Sequence, residues 1–174
     1  MTAVLADRFR RWFDYEADAH RSVLASLEAL PPRARETPEY AKASGLLAHV
    51  VLARWLWLSR LGAAPADRAP TRDEDFFPGA VAPEELRARL AAMDDAWAAY
   101  LRTLDDEALA RVVTYRSLDG NGFTNTVEEV LTQLFGHSWY HRGQIASLVR
   151  AAGGDPAVTD FIFWARTPSE GAGS

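Results

Sequence analysis

Four stretches of the chain repeat apolar residues every three or four positions, the period of a helix with one buried face. In the first, Leu5, Phe9, Phe13, Glu16, His20, Leu24 and Leu27 form one stripe. That stripe predicts a helix over residues 3–30, ended by Pro31-Pro32. A second helix begins at Thr37-Pro38, where a threonine cap precedes a proline in the first helical position, and stops at Gly62. Its inward stripe is Leu46, His49, Val50, Ala53 and Trp57. A third opens at Pro83-Glu84-Glu85, with acidic residues where the helix dipole favours them. It runs to residue 103 with Leu86, Leu90, Met93, Trp97 and Leu101 facing the core. The fourth, residues 126–152, starts with Thr126 and Glu129 spaced as a capping box and ends at Gly153-Gly154.

Two segments break the helical period. Val112, Val113, Thr114 and Tyr115 favour a strand, and Asp119-Gly120-Asn121-Gly122 is a turn signal, so a short β-hairpin is predicted within residues 111–124. Residues 63–82 carry Pro65, Pro70, Pro78 and the acidic run Asp73-Glu74-Asp75, and read as a long connection. Residues 158–164 are expected to form a short apolar helix packed on the rest, and residues 167–174 a frayed tail. Four long amphipathic helices make an all-α four-helix bundle with a hairpin before the last helix. Residues 1–166 are expected to be a single domain of that kind, with the first two helices antiparallel because their link is short.

Composition narrows the chemistry. The chain has 174 residues, 48% hydrophobic and 25% charged, as in an ordinary globular domain. Its net charge of -5 argues against nucleic-acid binding, which needs a basic surface. The start shows no secretory signal, and no stretch is apolar enough to span a membrane, so the expected location is the cytoplasm. Cysteine is absent. There is then no thiolate ligand and no cysteine nucleophile, and any metal must be held by nitrogen and oxygen.

Of the four histidines, His137 and His141 stand four apart on the fourth helix, in the stripe Val130, Leu134, His137, His141, Ile145 and Leu148. Both imidazoles leave one face, and such a pair can grip a divalent ion. The residues between them lack the glutamate of the HExxH zinc helices, which removes the metalloprotease reading. A lone histidine in the position of His49 is more often a hydrogen-bonded core residue. As the third member of a set it is a candidate ligand, and three imidazoles leave coordination positions open for water or substrate. Glu16 and His20 share the inward stripe of the first helix, and each is a candidate fourth ligand, general base or acceptor for an imidazole N–H. An ordinary helix-face pair is the alternative. Gln133, one turn before His137, is either a wall of the site or a surface residue. Gly136 and Gly143 suggest close approach of a neighbouring helix or a substrate. Arg142 is expected to pair with a carboxylate within the fold or with an anionic substrate.

The run Gly136-His137-Ser138-Trp139-Tyr140-His141-Arg142-Gly143-Gln144 resembles the HxxxHRGQ signature of the DinB/YfiT-like superfamily. Leu46-Leu47-Ala48-His49-Val50, followed by Trp55-Leu56-Trp57, is similar to its second-helix histidine segment. The resemblance implies a bundle of up-down-down-up topology and a divalent metal, nickel or zinc, held by His49, His137 and His141. It also implies a homodimer. Related members include thiol-dependent enzymes, bacillithiol S-transferases and a mycothiol-dependent maleylpyruvate isomerase. Many members carry histidine where this chain has Gln133, outside the three-histidine set.

Three activities follow as expectations. The first is a metal-dependent transferase acting on a small-molecule substrate with a low-molecular-weight thiol as cosubstrate, since the protein has no sulfur nucleophile of its own. The second is a metal-dependent hydrolase assisted by Glu16 or His20. The third is a non-catalytic metal-binding stress-response protein.

Overall fold

The computed structural model describes residues 4–167. Its long helices are α1 (Val4–Glu28), α2 (Pro38–Arg60), α3 (Pro83–Arg102) and α5 (Val127–Ala151). Between α3 and α5 lie the single turn α4 (Asp106–Leu109) and strands β1 (Val112–Arg116) and β2 (Gly122–Thr126). The short helix α6 (Phe161–Ala165) follows. The tail expected beyond residue 167 lies outside the described residues.

Local chemistry sets these ends. The Thr37 side chain accepts from the Tyr40 N–H and caps α2, with Pro38 in the first turn. Thr126 and Glu129 close a reciprocal capping box on α5. The start of α1 is capped from a distance: the Leu5 and Ala6 amides donate to Asp106 Oδ1 at 3.1 and 2.9 Å. That contact has no signature in the local sequence, whereas α4 has one, the Asp105 side chain accepting from the Ala108 N–H at 2.7 Å as its N-cap.

Pairs between helices give their directions. Phe13 meets Trp97, Arg21 meets Asp94 at 3.5 Å and Glu28 meets Arg87, so α1 and α3 are antiparallel. Trp12 stacks on Phe135 and Tyr15 bonds Arg142, so α1 and α5 run together. His49 reaches His137 while Trp57 and Val130 line a common groove, so α2 and α5 are antiparallel. The bundle is therefore up-down-down-up, as expected. Its core runs through Leu27, Leu47, Leu58, Leu86, Met93 and Trp97, all fully buried. On α2, residues 43–51 are buried without interruption, because α2 is covered by α3, α5 and the 63–82 connection.

The hairpin is antiparallel, with Val112 opposite Thr126 and Arg116 opposite Gly122. Gly120 takes a φ of 88° in its turn, a conformation open to glycine. The 63–82 connection holds two 3₁₀ turns, Ala66–Arg68 and Asp73–Phe76. It is drawn onto α2 at Gly45, where an added Cβ would overlap the Pro78 carbonyl oxygen and crowd that of Gly79 at 3.1 Å. α6 leans on α1 through Tyr15, whose ring meets Phe161 at 5.1 Å and Trp164 at 5.7 Å. No described helix is long and apolar enough to cross a membrane.

Candidate metal centre

His49, His137 and His141 come together in the seam between α2 and α5, where each ring offers a nitrogen and the three atoms lie within 4.8 Å of one another. His137 Nε2 is 3.0 Å from His49 Nε2 and 3.1 Å from His141 Nε2. Among the described residues they are the one group of histidine, aspartate and glutamate side chains able to share an ion.

The outer nitrogens decide what the inner ones can do. His49 Nδ1 lies 2.9 Å from the Phe76 carbonyl oxygen, which only accepts, so the Nδ1 of His49 carries the proton. His141 Nδ1 lies 2.8 Å from Gln144 Oε1, and with the amide turned so that its oxygen faces the ring, Nδ1 is the donor. Both Nε2 atoms are then bare lone pairs aimed at His137 Nε2. One proton on His137 can satisfy one of the two contacts. The other contact then sets a lone pair against a nitrogen with no hydrogen left to offer, and a proton on His137 Nδ1 instead leaves three lone pairs facing one another, a repulsive arrangement unless a cation lies among them. A divalent ion with imidazole nitrogens at about 2.0–2.1 Å separates its ligand atoms by about 3 Å, so the donor set fits one. An acceptor on the second nitrogen of a ligand histidine is also the usual means of orienting it.

The surroundings keep the rings neutral, the form that binds metal. Burial pushes His137 down to about 4, helped by the neighbouring His141 and His49. Burial also lowers His49, against the Phe76 carbonyl, and lowers His141, against Gln144. Phe77 stacks on His49 with ring centres 4.4 Å apart and planes 9° apart, and Tyr140 sits edge-on to His141 at 5.1 Å. Both aromatics are largely exposed and form an apolar rim.

Glu16 and His20 sit elsewhere. They are buried on the side of α1 that faces α2 and α5, and neither offers an atom to the histidine group. Glu16 Oε2 is bonded by Arg54 and Oε1 by Arg142 Nη1 at 3.1 Å. Burial pushes its carboxyl up, against the pull of Arg54 and Arg142. Burial holds His20 well below its usual value, as do Arg54, Arg142 and Arg21. Arg142 thus takes the carboxylate partner expected for it within the fold.

Three further expectations resolve here. An added Cβ at Gly136 or Gly143 meets nothing within 4 Å, so no helix approaches either one. The close approach occurs instead at Gly45, one turn before His49, where the segment carrying Phe76 is seated. Gln133 is exposed and lines an open groove of about 500 Å³ with Trp57, Tyr115, Asn125, Glu129 and Val130. It lies one helical turn, about 6 Å, from His137.

The sequence profile of the DinB superfamily matches residues 18–145, which include all three histidines. The chain belongs to the DinB superfamily. A crystal structure of a DinB-like protein from Bacillus cereus ATCC 10987 has the same fold, with a TM-score of 0.62 and 18% identity. The match covers 86% of this chain and 94% of that one. No curated protein matches the chain.

Phe76 and Gln144 were not visible as partners in the sequence. Gln144 had a weak signal, three residues beyond His141 and so on its face of the helix. Phe76 had none, because a backbone carbonyl carries no residue signature. Replacing Gln144 with Leu removes the acceptor for His141 Nδ1 and is expected to weaken zinc binding by about 10–100-fold, measured by competition with a chelating dye. Affinity equal to the parent's would mean that Gln144 does not orient the ring. Gly45→Ala forces the Pro78 carbonyl off α2. We expect it to cost about 1–3 kcal/mol in urea unfolding and to weaken zinc binding by loss of the Phe76 contact.

The metal-free protein should also respond to acid. His137 is neutral in the fold down to about 4, while an unfolded histidine takes up its proton near 6.5. Between those values the unfolded state binds more protons, so stability rises with pH and is lost on acidification. Asp94, pushed up to about 6 by burial, acts in the opposite sense. Comparison with His137→Asn cancels that contribution. The stability of the parent relative to this variant should fall as pH drops from about 6.5 to about 4; a flat difference in urea unfolding would show that the ring is not held neutral.

Proposed function

We propose that this DinB-superfamily protein holds one nickel or zinc ion through His49, His137 and His141, and transfers a low-molecular-weight thiol to a small electrophilic substrate. The observation that carries the reading is the meeting of three Nε2 atoms when two of the rings have their protons committed on Nδ1. When bound, a divalent ion supplies positive charge that favours the ionised form of a thiol beside it. The residues do the remaining work. Phe76 and Gln144 fix the ring orientations, Phe77 and Tyr140 shed water from the rim, and the groove beside Gln133 gives room for a second reactant. The sulfur must come from a cosubstrate, because the chain has no cysteine.

Hydrolysis is less well supported, since the carboxylate of Glu16 is engaged by two guanidiniums and is not free to take a proton from water. The same reading places the protein in the cytoplasm, as a homodimer. The test is a screen of small thiols against alkylating and isomerisable electrophiles, with the nickel- and zinc-loaded protein. Thiol-dependent consumption that disappears on chelation and in His49→Ala is expected. Turnover without thiol would replace transfer with hydrolysis, and absence of turnover in a metal-loaded protein would reduce the reading to metal binding.

A further inference from the structure

Directly behind the histidine group, a single carboxylate joins three helices. Glu16 projects from α1, receives Arg54 from α2 on one oxygen and Arg142 from α5 on the other. Arg54 Nη2 also donates to Ser138 Oγ of α5 at 3.0 Å, and Arg142 Nη2 to Tyr15 Oη of α1 at 2.8 Å. Glu16, Arg54, Ser138 and Arg142 are each less than 5% exposed.

The register of this network against the ligands is the significant point. Ser138 follows His137 and Arg142 follows His141, and one residue turns a helix by about 100°. Arg54 lies five residues beyond His49, on the opposite flank of α2. Each ligand-bearing helix is therefore held from behind, close to its histidines, by groups that converge on Glu16.

A reason for this arrangement follows from what else holds α2 and α5. Apart from this network and the contact of His49 with His137, no hydrogen bond joins α2 to α5 among the described residues, and apolar packing is non-directional, so it resists sliding of one helix past the other only weakly. Paired guanidinium–carboxylate bonds are directional. A ligand set, in turn, must be held within about 0.5 Å of its working geometry. Buried ion pairs are commonly replaced by apolar groups with no loss of stability, so their stability alone does not account for three buried charged groups here.

We propose that Glu16 is a positioning residue for the three-histidine site: by bonding Arg54 and Arg142 it sets the spacing and register of α2 and α5, and so keeps His49 Nε2 against the nitrogens of His137 and His141. The proposal rests on the reading of those histidines as a metal site.

The test uses the full chain with two variants. Glu16→Gln breaks the network with little change in shape. Because it leaves two guanidiniums buried without a counter-charge and can unfold, the second is Glu16→Leu/Arg54→Met/Arg142→Met, which removes every buried charge of the set. Nuclear Overhauser contacts between the ring protons of His49 and those of His137 and His141 are recorded on metal-free protein, and cobalt(II) is titrated into the same samples. Folding is followed by thermal melting. We expect the triple variant to melt near the parent, to lose the contacts between His49 and the other two rings, and to bind cobalt at least about 10-fold more weakly with an altered visible absorption band. A folded triple variant that keeps the ring contacts and the parent's cobalt affinity and spectrum overturns the proposal and leaves Glu16 a purely structural residue. Failure of the metal reading shows differently: the parent then has the ring contacts but takes up no cobalt, and the contacts alone decide what Glu16 does.

Discussion

Replacing His137 and His141 together with alanine is expected to take bound nickel or zinc from about one ion per chain to background, in a protein that still folds. The size of the effect follows from the geometry. Both nitrogens come from one helix face and His49 alone cannot hold an ion, whereas loss of an outer partner such as Gln144 only loosens a ring. Folding should survive because His137 is only half-buried, and the core beneath it is built by Leu134, Ile145 and Val149. Two measurements check the result. Elemental analysis of protein purified without a tag gives the stoichiometry. Thermal melting with added zinc gives the linkage: an ion at 100 times its dissociation constant stabilises the parent by about 2.7 kcal/mol and should leave the double variant unmoved. Equal metal content in the two proteins, or none in either after reconstitution, would mean that the histidines meet for structural reasons.

The second large effect is on stability. Arg54→Met should cost about 3–5 kcal/mol, the usual cost of removing one partner of a buried ion pair. Arg54 serves two groups, Glu16 and Ser138, and both lie in a region closed to water. Methionine fills much the same volume, so the loss should be electrostatic rather than a cavity. Urea unfolding of the metal-free protein measures it directly. A cost below about 1 kcal/mol, the range of an exposed pair, would show that water reaches the network.

How much of this was legible in the sequence depended on distance along the chain. The four long helices were readable because helical period, caps and breakers are local: Thr37-Pro38 and the Thr126–Glu129 box lie at the observed starts of α2 and α5. The hairpin was readable from its turn residues. The turn α4 was not, since its four residues are too few to show a helical period, although Asp105 caps it locally. Gly136 and Gly143 of α5 suggest close approach of a helix or a substrate, yet the helix face pressed by backbone is at Gly45, because a glycine in a sequence shows only that a side chain is missing and not which neighbour requires it.

The sequence by itself determined the helices, their buried faces and the pairing of His137 with His141, since a spacing of four on one helix brings side chains together whatever the rest of the chain does. It also excluded a thiolate ligand and made His49 a candidate. Only the tertiary structure decided that His49 completes the group, that the Phe76 carbonyl and Gln144 hold two of the rings with their nitrogens turned inward, and that Glu16 is bound between Arg54 and Arg142. Apart from Gln144, which is three residues from His141 on the same helix, each of these depends on contacts between residues far apart in the chain. Such contacts are set by which helix faces meet and in what register, whereas the periodic stripe shows only that a face is buried and not what it meets.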